Sequence, residues 1–366
     1  MKKRIGILFG GRSAEHEVSL VSARNVYEAI DKSKFDIVLI GIDKQGSWHH
    51  LNDSFFALLP GVNPFEQWHE ALTLLPGSDI ALVNTNANPA TIGKLDAVFP
   101  VMHGTYAEDG TVQGLLKLLN VPFVGAGVLG SAVGMDKDVM KRLLREAGLP
   151  VCKFLSFKKH NAPTWADASK KLGVPLFLKP ANAGSSVGVH KVNNEEEWNQ
   201  GLANALKFDT KVLAEEFIRC REIEVAVLGN EHPKASVPGE IIPTHEFYSF
   251  EAKYLDEKGA MLRIPADLSP ELTRKIQELA VQTFEVLCCS GMARVDFFLS
   301  EGNEIYVNEI NTIPGFTKIS MYPKLWEASG LPYGKLIEQL LELALENHAT
   351  ENALTTSFDE GLKLGS

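Results

Sequence analysis

The opening third of the chain alternates short apolar runs with stretches patterned at helical spacing, and this alternation narrows the fold more than any other feature. Arg4 to Phe9, Phe35 to Ile42 and Leu95 to Met102 read as strands, while helical patterns begin near Glu15 and about Gly110. Successive strands joined by crossover helices build a parallel sheet. The front of the chain is therefore expected to be an α/β domain. Residues 47–89 break the rhythm: they lack clean periodicity, are rich in Pro, Asn and aromatic residues, and read as an irregular insertion with local helix.

From Asp136 the character changes. Met140, Leu143, Leu144 and Ala147 recur at i, i+3, i+4, i+7, and Gly148 followed by Pro150 ends that helix. Strands then follow in quick succession, at 152–157, 176–179, 187–192, 212–217 and 222–228, with helices at about 164–172 and 195–206, a pattern that is α+β. A proline-bounded loop at 243–265 leads to a helix over 270–288 and to strands at 293–299 and 304–310; terminal helices lie within 324–346, and the polar tail after Asn347 is expected to fray. A chain of 366 residues exceeds one hydrophobic core, so two or three units sharing a cleft are expected.

The formal net charge of -10 argues against a protein that coats nucleic acid or an anionic membrane, so any bound polyphosphate must meet locally placed cations. Cys152, Cys220, Cys288 and Cys289 show no CxxC spacing, which suggests neither zinc nor a disulfide framework and fits a reducing cytoplasm. The basic start, Met1 to Arg4, precedes an apolar run too short for a signal peptide. The weakly polar stretch 121–135, interrupted by Pro122 and glycines, falls short of the roughly 18 residues a membrane span needs. No membrane segment is expected.

Two neighbouring segments carry the chemistry, Arg294-Val-Asp296 and Asn308-Glu-Ile-Asn311. Alternation in a strand puts Arg294 and Asp296 on one face and Glu309 with Asn311 on one face. The short turn Ser300-Glu-Gly-Asn303 makes the two strands antiparallel neighbours, so three oxygen ligands converge beside an arginine. Hard divalent ions that bridge nucleotide phosphates take such oxygens, and magnesium is the economical choice. On alternation alone an ordinary hairpin with a solvated polar face explains the pattern equally well. The irregular exit Asn311-Thr-Ile-Pro-Gly315 favours the metal site.

Other segments are suggestive only in combination. Lys179 precedes a loop, 180–188, whose glycines and serines can turn N–H groups toward phosphate, although the Walker spacing is absent. Lys137 sits near a helix start, where the macrodipole disfavours a cation unless an anion is near, and Asp136 alone could supply that anion. Glu215 to Ile218 and Glu222 lie where one strand passes into another, a place that presents backbone to an adenine edge and a carboxylate to ribose, or simply exposes acids at strand ends. Gly10-Gly-Arg-Ser-Ala-Glu15 lacks the GxGxxG spacing of a dinucleotide fingerprint. Glu15 either answers the helix dipole or receives a substrate ammonium. His103-Gly104 ends another parallel strand, the edge where α/β sheets place ligands; a lone histidine there is more often structural.

Taken together, the segments Gly10 to Ser19, His103-Gly with Glu108 to Gly114, Met135-Asp-Lys137, Lys179-Pro with Gly184 to Gly188, Phe250 to Tyr254 and Arg294 through Gly315 resemble the D-alanine:D-alanine ligase family of the ATP-grasp superfamily. The resemblance implies a three-domain ATP-grasp architecture: an N-terminal α/β domain at 1–125, a central subdomain at 126–214 and a C-terminal subdomain at 215–346, followed by a polar tail at 347–366. It implies that Lys137, Lys179 and Lys253 hold the ATP phosphates, that Glu215, Glu216, Phe217 and Ile218 meet the adenine and that Glu222 meets the ribose. Asp296, Glu309 and Asn311 would hold two magnesium ions, for which manganese substitutes. Glu15 would bind the ammonium of the first D-alanine, with His103 near its carboxylate; Ser320 and Met321 would meet the carboxylate of the second. Glu15, Ser185 and Tyr254 resemble the family's hydrogen-bonded triad, while Arg294 with backbone N–H near Gly315 would stabilise an oxyanion. Tyr254 favours a dipeptide over D-alanyl-D-lactate. Phe247-Tyr-Ser-Phe250 departs from the acidic-aromatic pair expected at Ser249 and Phe250. The resemblance also implies a homodimer in the cytoplasm. The rivals are another ATP-grasp ligase, differing at Glu15, Tyr254 and Ser320, and a non-catalytic nucleotide binder or Rossmann oxidoreductase, against which the absent GxGxxG weighs.

Overall fold

The structure is a computed structural model and describes residues 2–58, 71–75, 81–84, 91–243 and 260–355. Lys253 and Tyr254 lie outside the described residues, as does most of the insertion expected at 47–89. The front domain is built on β1 (Lys3–Gly10), followed by α1 (His16–Ala29), β2 (Phe35–Ile42), β3 (Trp48–Leu51), the short strands β4 (Leu72–Leu75), β5 (Ala81–Asn84) and β6 (Thr91–Gly93), then β7 (Ala97–Pro100) and α2 (Thr111–Leu118). The main sheet has the order β3-β2-β1-β7, with β1 parallel to both β2 and β7 and β3 antiparallel at the edge. Strand β1 is an unbroken apolar run because both its faces are covered. Ile5, Ile7 and Phe9 pack with Leu20, Ala23 and Val26 of α1, and Leu8 packs on the other side with Val112 and Leu116 of α2.

Two helices lead into the rest of the chain, α3 (Val128–Met135) and α4 (Lys137–Glu146). Helix α3 lies within the weakly polar stretch 121–135. Its glycines weaken helix propensity but allow close approach: a Cβ on Gly130 would stand 2.6 Å from the Cys288 carbonyl oxygen. In α4, Asp136 caps the helix by accepting from the N–H groups of Asp138 and Val139. Its buried face is Lys137, Met140, Lys141 and Leu144, whereas Leu143, expected inside, is 39% exposed. The i, i+3, i+4, i+7 rule was right about period and wrong about phase, because two lysines occupy the inner stripe.

The central unit comprises β8 (Phe154–Lys158), α5 (Trp165–Leu172), β9 (Leu176–Pro180), β10 (His190–Val192), α6 (Glu195–Ala205) and β11 (Lys211–Glu216), in an antiparallel sheet of order β10-β9-β11-β8. Leu176, Leu178, Val212 and Ala214 face α5 and α6 in one core. Alternation turns Lys179, paired with Leu213, and Glu215, paired with Phe177, to the opposite face. Strand β11 belongs whole to this sheet through Glu216, past the boundary expected at 214.

The last unit contains β12 (Cys220–Gly229), β13 (Lys234–Ala235), β14 (Gly239–Pro243), β15 (Ala260–Arg263), α7 (Pro270–Val286), β16 (Gly291–Ser300), β17 (Ile305–Asn311), α8 (Met321–Ala328) and α9 (Tyr333–Asn352). Its sheet has the order β15-β14-β12-β16-β17, with β13 paired to β12. Ile223, Val225, Val295, Phe297 and Val307 bury one face against Ile276, Ala280 and Phe284 of α7 and against Met140 and Leu144 of α4. Leu336, Ile337, Leu340 and Leu341 of α9 join the core beneath β1, which ties this unit to the front domain. The end of α9 also corrects the expectation of a frayed tail after Asn347. The helix continues to Asn352, with Glu351 3.1 Å from Lys117 and His348 Nε2 3.0 Å from the Asn120 carbonyl oxygen.

Candidate active site

The β16–β17 hairpin forms as the sequence implies, with Asp296 opposite Glu309 and Arg294 opposite Asn311. One feature was not legible: the register shifts between Asp296 and Phe297, so that Asn308 is an extra residue. This bulge reverses the parity of β17. Ile305, Val307 and Ile310 all stay in the core although simple alternation cannot place them together, and Glu309 and Asn311 turn to the polar face. On that face Arg294 makes a bidentate pair with Asp296, Nε to Oδ1 and Nη2 to Oδ2 both at 2.7 Å, and its Nε lies 2.9 Å from Glu224 Oε2 on β12. Burial works against the guanidinium's charge, but Asp296 and Glu224 outweigh it, holding Arg294 above its ordinary value and charged. Asn311 Nδ2 donates to Asp296 Oδ2 at 2.9 Å, and Glu309 Oε2 lies 3.2 Å from Lys137 Nζ.

Among the described residues, no three His, Cys, Asp or Glu side chains group as metal ligands. The hairpin set is instead two carboxylates and an amide, drawn together by register and already neutralised by Arg294 and Lys137. A hard-oxygen set of this kind fits magnesium or manganese.

Opposite the hairpin stand the lysines. Lys179 Nζ lies 2.5 Å from Glu215 Oε2, and Lys141 Nζ lies 3.1 Å from Glu215 Oε1. All three residues are buried. Burial pushes the Glu215 carboxyl up, and Lys141 and then Lys179 pull it below its ordinary value; Lys179 is in turn held up by Glu215 against its own burial. Lys137 Nζ donates to the Ala183 carbonyl oxygen at 2.8 Å and so braces the loop after β9.

That loop carries Ser185 and Ser186 at φ 51° and 59°, a left-handed conformation that L-residues avoid. The strain is held by a tertiary contact, since Ser185 Oγ donates to Glu15 Oε1 across the cleft. The loop therefore lies closed on the front domain. Beneath it, Glu108, Lys137, Gly184, Glu309 and Asn311 line a cavity of about 20 Å³, room for little more than a water.

Glu15 sits at the start of α1 beside Gly104, whose φ is 75° and where a Cβ would stand 2.6 Å from Glu15 Oε2. The loops after β1 and β7 can meet this closely only without a side chain there. Ser19 Oγ clamps the same two strand ends, accepting from the Gly10 N–H at 2.7 Å and donating to the Val101 carbonyl at 2.6 Å. Glu108 Oε2 accepts from the Gly104 N–H at 2.9 Å. Burial, then the Glu15 carboxylate, push Glu108 up to about 8, so it carries a proton at neutral pH. His103 is buried, with Nε2 3.2 Å from Ser22 Oγ and Nδ1 3.1 Å from the Ile313 carbonyl oxygen. Its burial lowers its pKa, only partly opposed by Glu15, and keeps the ring neutral. Both ring nitrogens are thus engaged within the fold, where His103 joins α1 to the segment after β17.

The remaining expected residues divide. Glu216 turns away from the lysines: its Oε1 accepts from the Lys153 N–H at 2.7 Å, so only its backbone can serve the cleft. Phe217 is 39% exposed at the cleft edge, its ring 6.0 Å from that of Phe177. Ile218 follows it on the segment joining β11 to β12, and Glu222 lies on β12 two residues from Glu224. Ser320 Oγ accepts from the Thr317 N–H at 3.0 Å, and a Cβ on Gly315 would come within 2.7 Å of it. The Met321 side chain is buried in the core, leaving its backbone N–H at the first turn of α8. Lysine 141, Glu224 and the proton on Glu108 were missed. Two could have been found, Glu224 as the same-face neighbour of Glu222 and Lys141 as the next turn above Lys137.

Two α+β sheets facing each other across a cleft of lysines and carboxylates, behind a parallel α/β domain, make this an ATP-grasp protein. The D-ala D-ala ligase N-terminus family matches residues 4–126, and the D-ala D-ala ligase C-terminus family matches residues 143–342. The D-alanine–D-alanine ligase of Oceanobacillus iheyensis is 52% identical over 367 residues, covering 99% of this chain and 100% of that protein. The structure of the D-alanine-D-alanine ligase from Coxiella burnetii is similar with a TM-score of 0.86 at 41% identity, covering 96% of each chain. That of the VanG D-Ala:D-Ser ligase from Enterococcus faecalis is similar at 0.79 and 36% identity, covering 94% of this chain and 100% of that one. The chain belongs to the D-alanine–D-alanine ligase family.

Proposed function

We propose that the chain joins two D-alanines to D-alanyl-D-alanine at the expense of ATP, releasing ADP and phosphate, and so supplies the dipeptide for peptidoglycan. Near-complete coverage of the Oceanobacillus iheyensis ligase at 52% identity carries this reading. The carboxylate of the first D-alanine attacks the γ-phosphorus, the bond to ADP breaks, and an acyl phosphate forms. The amine of the second D-alanine adds to that carbonyl, and phosphate leaves as the peptide bond closes and a proton is lost.

The cleft supports assigned roles. Lys137, Lys179 and Lys253 offset the repulsion between the attacking carboxylate and the phosphates. Backbone of Glu215 to Ile218 reads the adenine, and Glu222 the ribose. Asp296, Glu309 and Asn311 hold magnesium ions, which when bound neutralise phosphate charge. Glu15 takes the ammonium of the first substrate; Ser320 and the Met321 N–H take the carboxylate of the second. Arg294, fixed by Glu224 and Asp296, and the N–H groups near Gly315 face the developing oxyanion. The acyl phosphate hydrolyses in water, so Ser185 holding Glu15 serves to exclude it, with Tyr254 as the third member of that triad. The three units then divide near 125 and just after Glu216, where β11 ends.

A homodimer is also proposed, supported by Leu118 and Leu129, 82% and 60% exposed on the adjacent helices α2 and α3. Cys152, Cys220, Cys288 and Cys289 are free, which supports the cytoplasm; among the described residues no helix is long and apolar enough to cross a membrane. The similarity to a D-Ala:D-Ser ligase defines the competing substrate. Purified protein given ATP, magnesium and D-alanine should release phosphate and form D-alanyl-D-alanine. Turnover that requires D-serine or D-lactate as second substrate would refute the assignment.

A further inference from the structure

Lysine 141 has no part in the roles above, yet it is fully buried beside the lysine assigned to phosphate. One carboxylate, Glu215, serves two ammonium groups: Lys179 at 2.5 Å and Lys141 at 3.1 Å. Among the described residues the Lys141 ammonium has no other ion pair, and no hydrogen bond of good geometry. A second buried ammonium on a carboxylate that already has one is costly as packing, because ions taken out of water need full compensation. It becomes useful when the first ammonium must change partners. If Lys179 turns from Glu215 to a phosphate oxygen, a lone Glu215 would be stranded as a buried, unpaired carboxylate.

We propose that Lys141 is a positioning residue for nucleotide binding: it keeps Glu215 paired on Oε1 and so frees Lys179 to exchange Glu215 for the phosphates. The inference rests on the reading of Lys179 as a phosphate ligand. The geometry suits the exchange. Lys141 comes from α4 and Lys179 from β9, so they approach Glu215 from different elements, each on its own oxygen. Lys141 also lies one helical turn beyond Lys137, so α4 presents both lysines on one stripe, the nearer at the Glu309 carboxylate and the farther behind Glu215. Before nucleotide binds, the cluster carries two positive charges and one negative. The surplus is answered when polyphosphate arrives.

The test measures binding of ADP with magnesium by titration calorimetry, and steady-state kinetics in ATP, for wild type, Lys141→Met, Lys141→Arg and the double variant Lys141→Met with Glu215→Gln. In Lys141→Met, Lys179 is locked to Glu215, and the Kd for ADP and the KM for ATP should rise about tenfold or more, since one buried partner has been removed. kcat at saturating ATP should stay near wild type, and Lys141→Arg should regain most of the affinity. The double variant removes the carboxylate that traps Lys179 and leaves no orphaned charge, so it should fold and bind ADP within severalfold of wild type even where Lys141→Met alone fails to fold. Unchanged ADP affinity in Lys141→Met, or a folded double variant that binds ADP no better than the single variant, would overturn the proposal. Wild-type protein that bound no ADP would instead overturn the nucleotide-site reading beneath it.

Discussion

Replacing Glu224 by Gln tests how Asp296, the carboxylate proposed to hold the metal, is kept available. Arg294 is shared between Asp296, which it grips with two bonds of 2.7 Å, and Glu224, 2.9 Å from its Nε. Glutamine keeps the shape of Glu224 and an acceptor for Arg294 but removes a negative charge. Arg294 still has Asp296, so the large penalty for orphaning a buried ion does not arise. What is lost is the charge attraction of the ion pair, offset in part by the smaller cost of burying a neutral amide, a net of about 1–2 kcal/mol. That loss should appear as reduced stability in urea unfolding. It should also appear in metal use, because Arg294 then depends more on Asp296, the carboxylate proposed as a metal ligand. A shift of about 1.4 kcal/mol corresponds to roughly tenfold in affinity, so the magnesium concentration for half-maximal turnover should rise by about that factor while kcat at saturating magnesium changes little. Half-saturation by magnesium within twofold of wild type in Glu224→Gln would refute the reasoning.

The remaining predictions follow from single contacts. Glu108→Gln should flatten the pH dependence of stability in the ligand-free protein. The folded carboxyl keeps its proton up to about 8, so its stabilisation is complete below the ordinary value of 4.5 and is lost as pH rises through 8; wild type should lose melting temperature over that range and the variant should not. A parallel slope in both proteins would contradict it. Ser185→Ala removes the hydroxyl that closes the loop onto Glu15, and should leave ADP affinity intact while phosphate release outruns dipeptide formation; strict one-to-one coupling would count against a water-excluding role. Gly104→Ala places a Cβ 2.6 Å from Glu15 Oε2 at a φ of 75°, so dipeptide synthesis should fall sharply; wild-type rates would show the approach to be adjustable.

Most of the architecture was legible because the elements obey simple periods. The parallel front sheet, the α+β units and the hairpin turn at Ser300 to Asn303 followed from runs of two and of 3.6. The failures came where polar or small residues occupy inner positions. Lys141 reads as solvent-facing, so the α4 stripe was placed a step away on Leu143. Gly130 and Gly134 concealed α3, since helix propensity says nothing about a partner backbone that demands a glycine. The bulge at Asn308 was hidden for another reason: Ile305, Val307 and Ile310 become one face only when the ladder slips by a residue. Individual site residues were legible as a set of types, but their pairings were not. That His103 would be bound on both ring nitrogens depends on Ser22 and Ile313, which lie far from it in the chain.

The central claim is that this cleft makes an acyl phosphate from D-alanine and passes it to a second D-alanine. D-alanine labelled with oxygen-18 in its carboxyl group, incubated with ATP, magnesium and the protein, tests it most directly. Attack by the carboxylate on the γ-phosphorus carries one labelled oxygen into the released phosphate for each D-alanyl-D-alanine formed, and this is the result expected. Phosphate free of label, or labelled phosphate without dipeptide, would contradict the account.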